Sequence, residues 1–77
     1  MDARTRIDEL LREAFPGEPV SVEDRTGGGD HFLVIVTSRR FDGLSLVEQH
    51  RLVYDALATP LADGTIHELR IKTLPSP

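Results

Sequence analysis

The chain has 77 residues, no cysteine, nine Lys and Arg against thirteen Asp and Glu, and a net charge of −4 at pH 7. Without thiols it forms no disulfide and no thiolate zinc site, and it holds no iron–sulfur cluster alone, because such clusters rest on Cys thiolates with His as an occasional substitute. The acidic balance opposes general binding to phosphate backbones, which needs clustered Lys and Arg.

A chain this short makes one domain, 1–77, and buries only about 60% of the surface its unfolded form exposes, so a thin core is expected. No apolar run approaches the roughly 20 residues that span a bilayer. Met1 leads into the charged, helical "DARTRIDELLREAF", which lacks the pattern of a cleavable signal. A soluble cytosolic (cytoplasmic) protein with no membrane contact is the expectation.

Asp2 to Ala14 reads as an amphipathic helix, with Ile7, Leu10, Leu11 and Ala14 at i, i+3, i+4, i+7. Pro16-Gly17 stops it. Pro19 to Arg25 alternates as a strand, with Val20 and Val22 on one side. Thr26-Gly27-Gly28-Gly29-Asp30 then connects to "HFLVIVT", His31 to Thr37, which is almost continuously apolar and β-branched. Such a run suggests a central strand covered on both faces, paired with the first in a hairpin. After a turn at Ser38 to Gly43, Ser45 reads as an N-cap and Glu48 completes a capping box. The helix from Leu46 to about Ala58 puts Leu46, Val53 and Leu57 on one face, and Thr59-Pro60 ends it. Pro60 to Ala62 suggests one turn of a further helix. Asp63-Gly64 turns the chain into "TIHELRIKT", Thr65 to Thr73, a half-buried strand with His67 on the side of Leu69 and Ile71. The folded core covers about 3–73, and 74–77 reads as a frayed tail.

The order α-β-β-α-(α)-β gives an α+β two-layer sandwich. Helices cover one face of a three-stranded mixed sheet, whose last strand joins parallel to the central one through a right-handed crossover.

Few groups in this chain can carry chemistry. The three glycines join two strands, whereas a phosphate cradle needs them between strand and helix, so they read as a flexible hairpin loop. No Gly-x-Ser-x-Gly elbow is present, and the adjacent Glu23 and Asp24 point to opposite faces of a strand, so enzymatic activity is not expected. His50 lies on or beside the buried helix face and reads as a structural, hydrogen-bonded residue. His31 and His67 open two parallel strands at one edge of the sheet, which would bring them together. Each has a plain reading as a strand-end residue. As a pair they could ligate a metal, although two ligands alone make an incomplete site. Arg39, Arg40, Arg51, Arg70 and Lys72 read either as a solvated basic set or as the contact for an acidic partner or nucleic acid.

"FDGLSLVEQHRLVYDAL" (Phe41 to Leu57), "IHELRIKT" (Ile66 to Thr73) and the upstream "VSVEDRTGGGDHFLVIVTSRRF" together resemble the BolA family over roughly Ile7 to Thr73. The likeness is greatest to short bacterial members, including the acid-stress-related type. The resemblance implies a class II KH-like fold of order α-β-β-α-α-β. It also implies a partner, a monothiol glutaredoxin of the CGFS type, with a 2Fe–2S cluster bridging the two proteins. The partner's cysteine and a glutathione thiolate would supply ligands, and the BolA-like chain would supply His67. Many members carry a second ligand in the loop between the first two strands. Here that loop is glycine up to Asp30, and His31 is the nearest substitute. Phe41, Gly43 and Arg51 are expected to shape the turn and helix.

The alternative implied function is DNA-binding transcriptional regulation of stress response and cell morphology. KH domains grip single-stranded nucleic acid through a Gly-x-x-Gly loop. The corresponding "ATPLADG" has none, so Arg39, Arg40, Arg51, Arg70 and Lys72 would have to carry such binding. A homodimer is left open by the sequence.

Overall fold

A computed structural model describes residues 2–76. Helix α1 spans Ala3–Ala14, and Asp2 caps it by accepting a hydrogen bond from the N–H of Thr5 at 2.8 Å. Strands β1 (Val20–Asp24) and β2 (His31–Ser38) form the hairpin, and a short 3₁₀ turn follows at Arg39–Phe41. Helix α2 runs over Leu46–Ala56, α3 over Ala58–Ala62, and β3 over Glu68–Pro75. The sheet order is β1-β2-β3, with β1 and β2 antiparallel and β2 and β3 parallel, as the sequence predicts. Pro60 sits in the first turn of α3, where a missing N–H costs nothing.

The helices lie on one face of the sheet, with α1 against β1 and α2 against β3. Between the layers sit Ile7, Leu11, Phe15, Val22, Phe32, Val34, Val36, Phe41, Val53, Leu57 and Ile66. The rings of Phe15 and Phe41 pack 5.5 Å apart in a tilted arrangement, and the Arg40 guanidinium lies 5.1 Å over Phe15. Gly43, at φ 76°, makes the turn that leads from Phe41 to α2.

Four expectations are corrected. First, β2 is covered on one face only. Its burial alternates strictly, with Phe32, Val34, Val36 and Ser38 inward and His31, Leu33, Ile35 and Thr37 half-buried on the open face. With every helix on the same side, a continuous apolar run has no second layer to meet. Second, Leu46 is 63% exposed, because the first turn of α2 overhangs the core. The inward contacts of that turn belong to Gln49, whose amide donates to Leu44 O at 3.0 Å and accepts from Thr73 Oγ1. Third, His50 is half-buried and its imidazole makes no hydrogen bond among the described residues. It lies in a shallow surface groove with Val47, Arg51 and Tyr54. Fourth, the expected frayed tail at 74–77 is largely strand: Leu74 and Pro75 pair with Thr37 and Ser38, and the N–H of Ser76 reaches Ser38 O at 3.3 Å. Residue 77 lies outside the described residues.

The glycine loop is closed on itself. The Asp24 carboxylate accepts hydrogen bonds from the N–H groups of Thr26, Gly27 and Gly29 at 3.3, 2.9 and 3.0 Å. Those amides already have an anion, which removes them as a phosphate cradle.

A candidate histidine site at one end of the sheet

The junction of β2 and β3 places the two histidines. The carbonyl of Asp30 accepts hydrogen bonds from the N–H of His67 at 2.8 Å and of Glu68 at 3.1 Å. That clamp sets the parallel register, in which His31 pairs with Glu68. Ile66, 4% exposed, anchors the chain to the core just before it. His67 is therefore not a half-buried strand residue beside Leu69 and Ile71, as periodicity suggested. It precedes β3, and its side chain is 76% exposed.

The imidazoles of His31 and His67 stack, with ring centroids 5.7 Å apart and planes inclined by 17°. Asp30 stands between them. Its carboxylate is 2.8 Å from His31 Nδ1 and 3.7 Å from His67 Nδ1. The hydrogen bond with His31 holds the Asp30 carboxyl below its ordinary value of 3.8, and charge on either imidazole acts in the same direction. Glu68 places a carboxylate oxygen 3.6 Å from His31 Nε2.

The two histidines thus differ. His31 is 32% exposed and has a carboxylate at each nitrogen. His67 has a carboxylate near Nδ1 only, and its Nε2 makes no hydrogen bond among the described residues. A metal-ligating imidazole commonly carries a carboxylate on its second nitrogen, which fixes the tautomer and the ring direction. Asp30 faces His67 Nδ1 from 3.7 Å, an ion-pair distance from which a small ring rotation would complete that arrangement. Among the described residues, no group of three or more His, Asp or Glu is disposed to hold a metal ion. Asp30 and Glu68 were not singled out from the sequence, although Asp30-His31 and His67-Glu68 are adjacent pairs in it. The signal was present as two neighbouring dipeptides and needed the strand register to become a cluster.

The five basic candidates separate. Arg40 donates to Ala14 O at 2.7 Å and covers Phe15, so it is a structural clamp between the 3₁₀ turn and α1. Arg70 pairs with Glu68 at 3.3 Å on the open face of the sheet, which Lys72 shares. Arg51 lies on α2 and Arg39 on the 3₁₀ turn. No helix among the described residues is long and apolar enough to cross a membrane.

The family model for BolA-like proteins matches residues 9–76. The DNA-binding transcriptional regulator BolA of Escherichia coli K12 is 36% identical over 80 residues, covering 95% of this chain and 75% of that protein. The acid stress protein IbaG of the same strain is 38% identical over 66 residues, covering 86% of this chain and 75% of that protein. Among solved structures, BolA1 from Arabidopsis thaliana matches with a TM-score of 0.86 at 30% identity, covering 97% of this chain and 93% of that one.

Proposed function

The chain belongs to the BolA family, and from that premise we propose that it is a non-enzymatic adaptor that pairs with a monothiol glutaredoxin of the CGFS type. In this reading a 2Fe–2S cluster is shared between the two proteins, with glutathione supplying a thiolate. The complex serves iron–sulfur assembly, trafficking or iron and redox sensing. The observation that carries the reading is His67, an exposed imidazole with Nε2 free and Nδ1 facing Asp30 at 3.7 Å. The residues fit a contributed ligand rather than a resident metal site, since a chain with no cysteine, and with no three-ligand group among its described residues, completes its coordination from a partner. His31 is the companion candidate, and its two carboxylate neighbours suit it better to holding His67 in place. Histidine in place of thiolate makes a shared cluster less negative, the replacement that raises the potential of Rieske-type centres.

The test mixes the chain with cluster-loaded glutaredoxin and glutathione and records visible absorption and circular dichroism. A new hybrid spectrum is expected, and it should be lost with His67→Ala and weakened with His31→Ala. A spectrum equal to that of the glutaredoxin alone would sink the adaptor reading. A hybrid that survives His67→Ala would sink the ligand assignment.

The DNA-binding name of the E. coli relative supports a second reading, transcriptional regulation. Of the five basic candidates, Arg39, Arg51 and Lys72 are left for it once Arg40 and Arg70 are engaged internally. Binding that persists at near-physiological salt and falls when Arg51 and Lys72 become Ala would favour it.

A further inference from the structure

The open face of the sheet carries a charge pattern in register. Reading across β1, β2 and β3, one row is Glu23, Leu33, Arg70 and the next is Ser21, Ile35, Lys72. Toward the histidine end, the N–H of Arg25 bonds to His31 O at 2.8 Å and His31 pairs with Glu68, giving the row Arg25, His31, Glu68. Toward the other end, Pro19, Thr37 and Leu74 form the last row, and Leu74 is 40% exposed. The middle column is therefore apolar at Leu33 and Ile35. The flanking columns carry opposite charges in two successive rows, and the order of the signs reverses from one row to the next.

We infer that this face docks a second copy of the chain, about a two-fold axis running along β2. Such an axis lays each row on its own reverse. Glu23 then meets Arg70 of the second copy, Arg25 meets Glu68, Pro19 meets Leu74, and Leu33 and Ile35 meet their own counterparts. Within one chain Arg70 already pairs with Glu68 at 3.3 Å, while Glu23, Arg25 and Lys72 make no ion pair among the described residues. The dimer extends that pair at both ends into a four-residue network, formed twice by symmetry. Strands of the two copies run in the same direction, the aligned class in which packed sheets keep their strands within about 30° of one another. A uniformly anionic surface, such as a nucleic acid or a lipid headgroup layer, meets a like charge in two of the three charged rows, the Lys72 row excepted. A self-complementary face does not.

One five-residue and two eight-residue strands about 4.8 Å apart, rising about 3.3 Å per residue, give a footprint of roughly 300–400 Å² per copy, in the range of weak, transient contacts and below that of stable interfaces. The dimer is accordingly weak and reversible. It also places the His31 ends of both copies at the same end of the assembly. The inference does not depend on the glutaredoxin reading, and its test contains no partner protein or metal.

Sedimentation equilibrium on the full chain, from about ten micromolar to about one millimolar, should show a reversible monomer–dimer equilibrium of the weak-interface kind, loosened by added salt. Glu23→Arg and Arg70→Glu should each weaken the dimer about tenfold, because each change acts twice across the axis. Combining them should restore association to within about threefold of the starting chain, since the swapped charges face each other again. Both positions are exposed, and circular dichroism on each variant is the control that it is folded. A chain that stays monomeric over the whole range overturns the inference. So does a dimer indifferent to the single changes, or one that the double change fails to restore.

Discussion

Asp30 holds the candidate site together through both of its oxygens' worth of chemistry, backbone and side chain. Its carbonyl receives the N–H groups of His67 and Glu68, and its carboxylate faces both imidazoles. Because its folded-state pKa is lowered, the hydrogen bond with His31 stabilises the fold fully above 3.8 and is lost as pH falls through the lower folded value. Asp30→Asn keeps the size and the backbone pairing and removes the anion. The stacked rings should then lose their fixed separation, read as weaker ring-to-ring nuclear Overhauser effects between His31 and His67. In the glutaredoxin mixture, cluster retention should fall by about tenfold to a hundredfold, the usual cost of removing a carboxylate that orients a metal ligand. Retention equal to that of the unaltered chain would show that Asp30 has no positioning role.

At the scale of elements, α2 illustrates which features are local and which are not. Ser45 Oγ accepts from the N–H of Glu48 at 3.2 Å, and Glu48 Oε1 accepts from the N–H of Ser45 at 3.1 Å. This capping box is legible in "SLVE" because both partners lie within four residues. Ser45→Ala should cost about 1 kcal/mol in urea unfolding, the typical value for a lost N-cap. The N–H of Ser45 is the main reason the Glu48 carboxyl sits below its ordinary 4.5, and Asp2 and Asp63 sit below 3.8 through hydrogen bonds from Thr5 and Thr65. Lowered carboxylates stabilise the fold above their unfolded values and lose that contribution as pH falls. The urea midpoint should therefore hold down to about pH 4.5 and decline below it. Glu48→Gln keeps the geometry without the titration, so its decline should begin nearer 3.8. An identical profile for the two chains would mean that the cap contributes nothing to acid unfolding. The exposure of Leu46 follows from where α2 begins relative to the sheet, and no helical period contains that information.

At the scale of the whole molecule, the meeting of His31 and His67 was legible because it follows from topology. A crossover helix makes β3 parallel to β2, and parallel neighbours begin at the same end. What lay beyond the sequence was how many layers the sheet would have. "HFLVIVT" satisfies a strand buried on both faces as well as one buried on one, and 77 residues supply helices for one face only. The same limit hid the exposure of His67, which depends on Ile66 anchoring the chain and Asp30 capping the strand start. A one-layer cover makes neighbouring residues of β2 differ sharply in worth. Phe32→Ala empties a fully buried position and should cost about 3–5 kcal/mol, comparable with the roughly 3–5 kcal/mol a core of this size supplies. That variant should be largely unfolded by circular dichroism at room temperature. Ile35→Ala, three residues on and on the open face, should cost less, about 1–2 kcal/mol in dilute solution, because part of its surface stays exposed and the truncation leaves no enclosed cavity. At high protein concentration the same change should weaken association, because Ile35 lies on the proposed two-fold axis. Equal losses of stability at the two positions in dilute protein would mean that something other than a second copy already covers the open face.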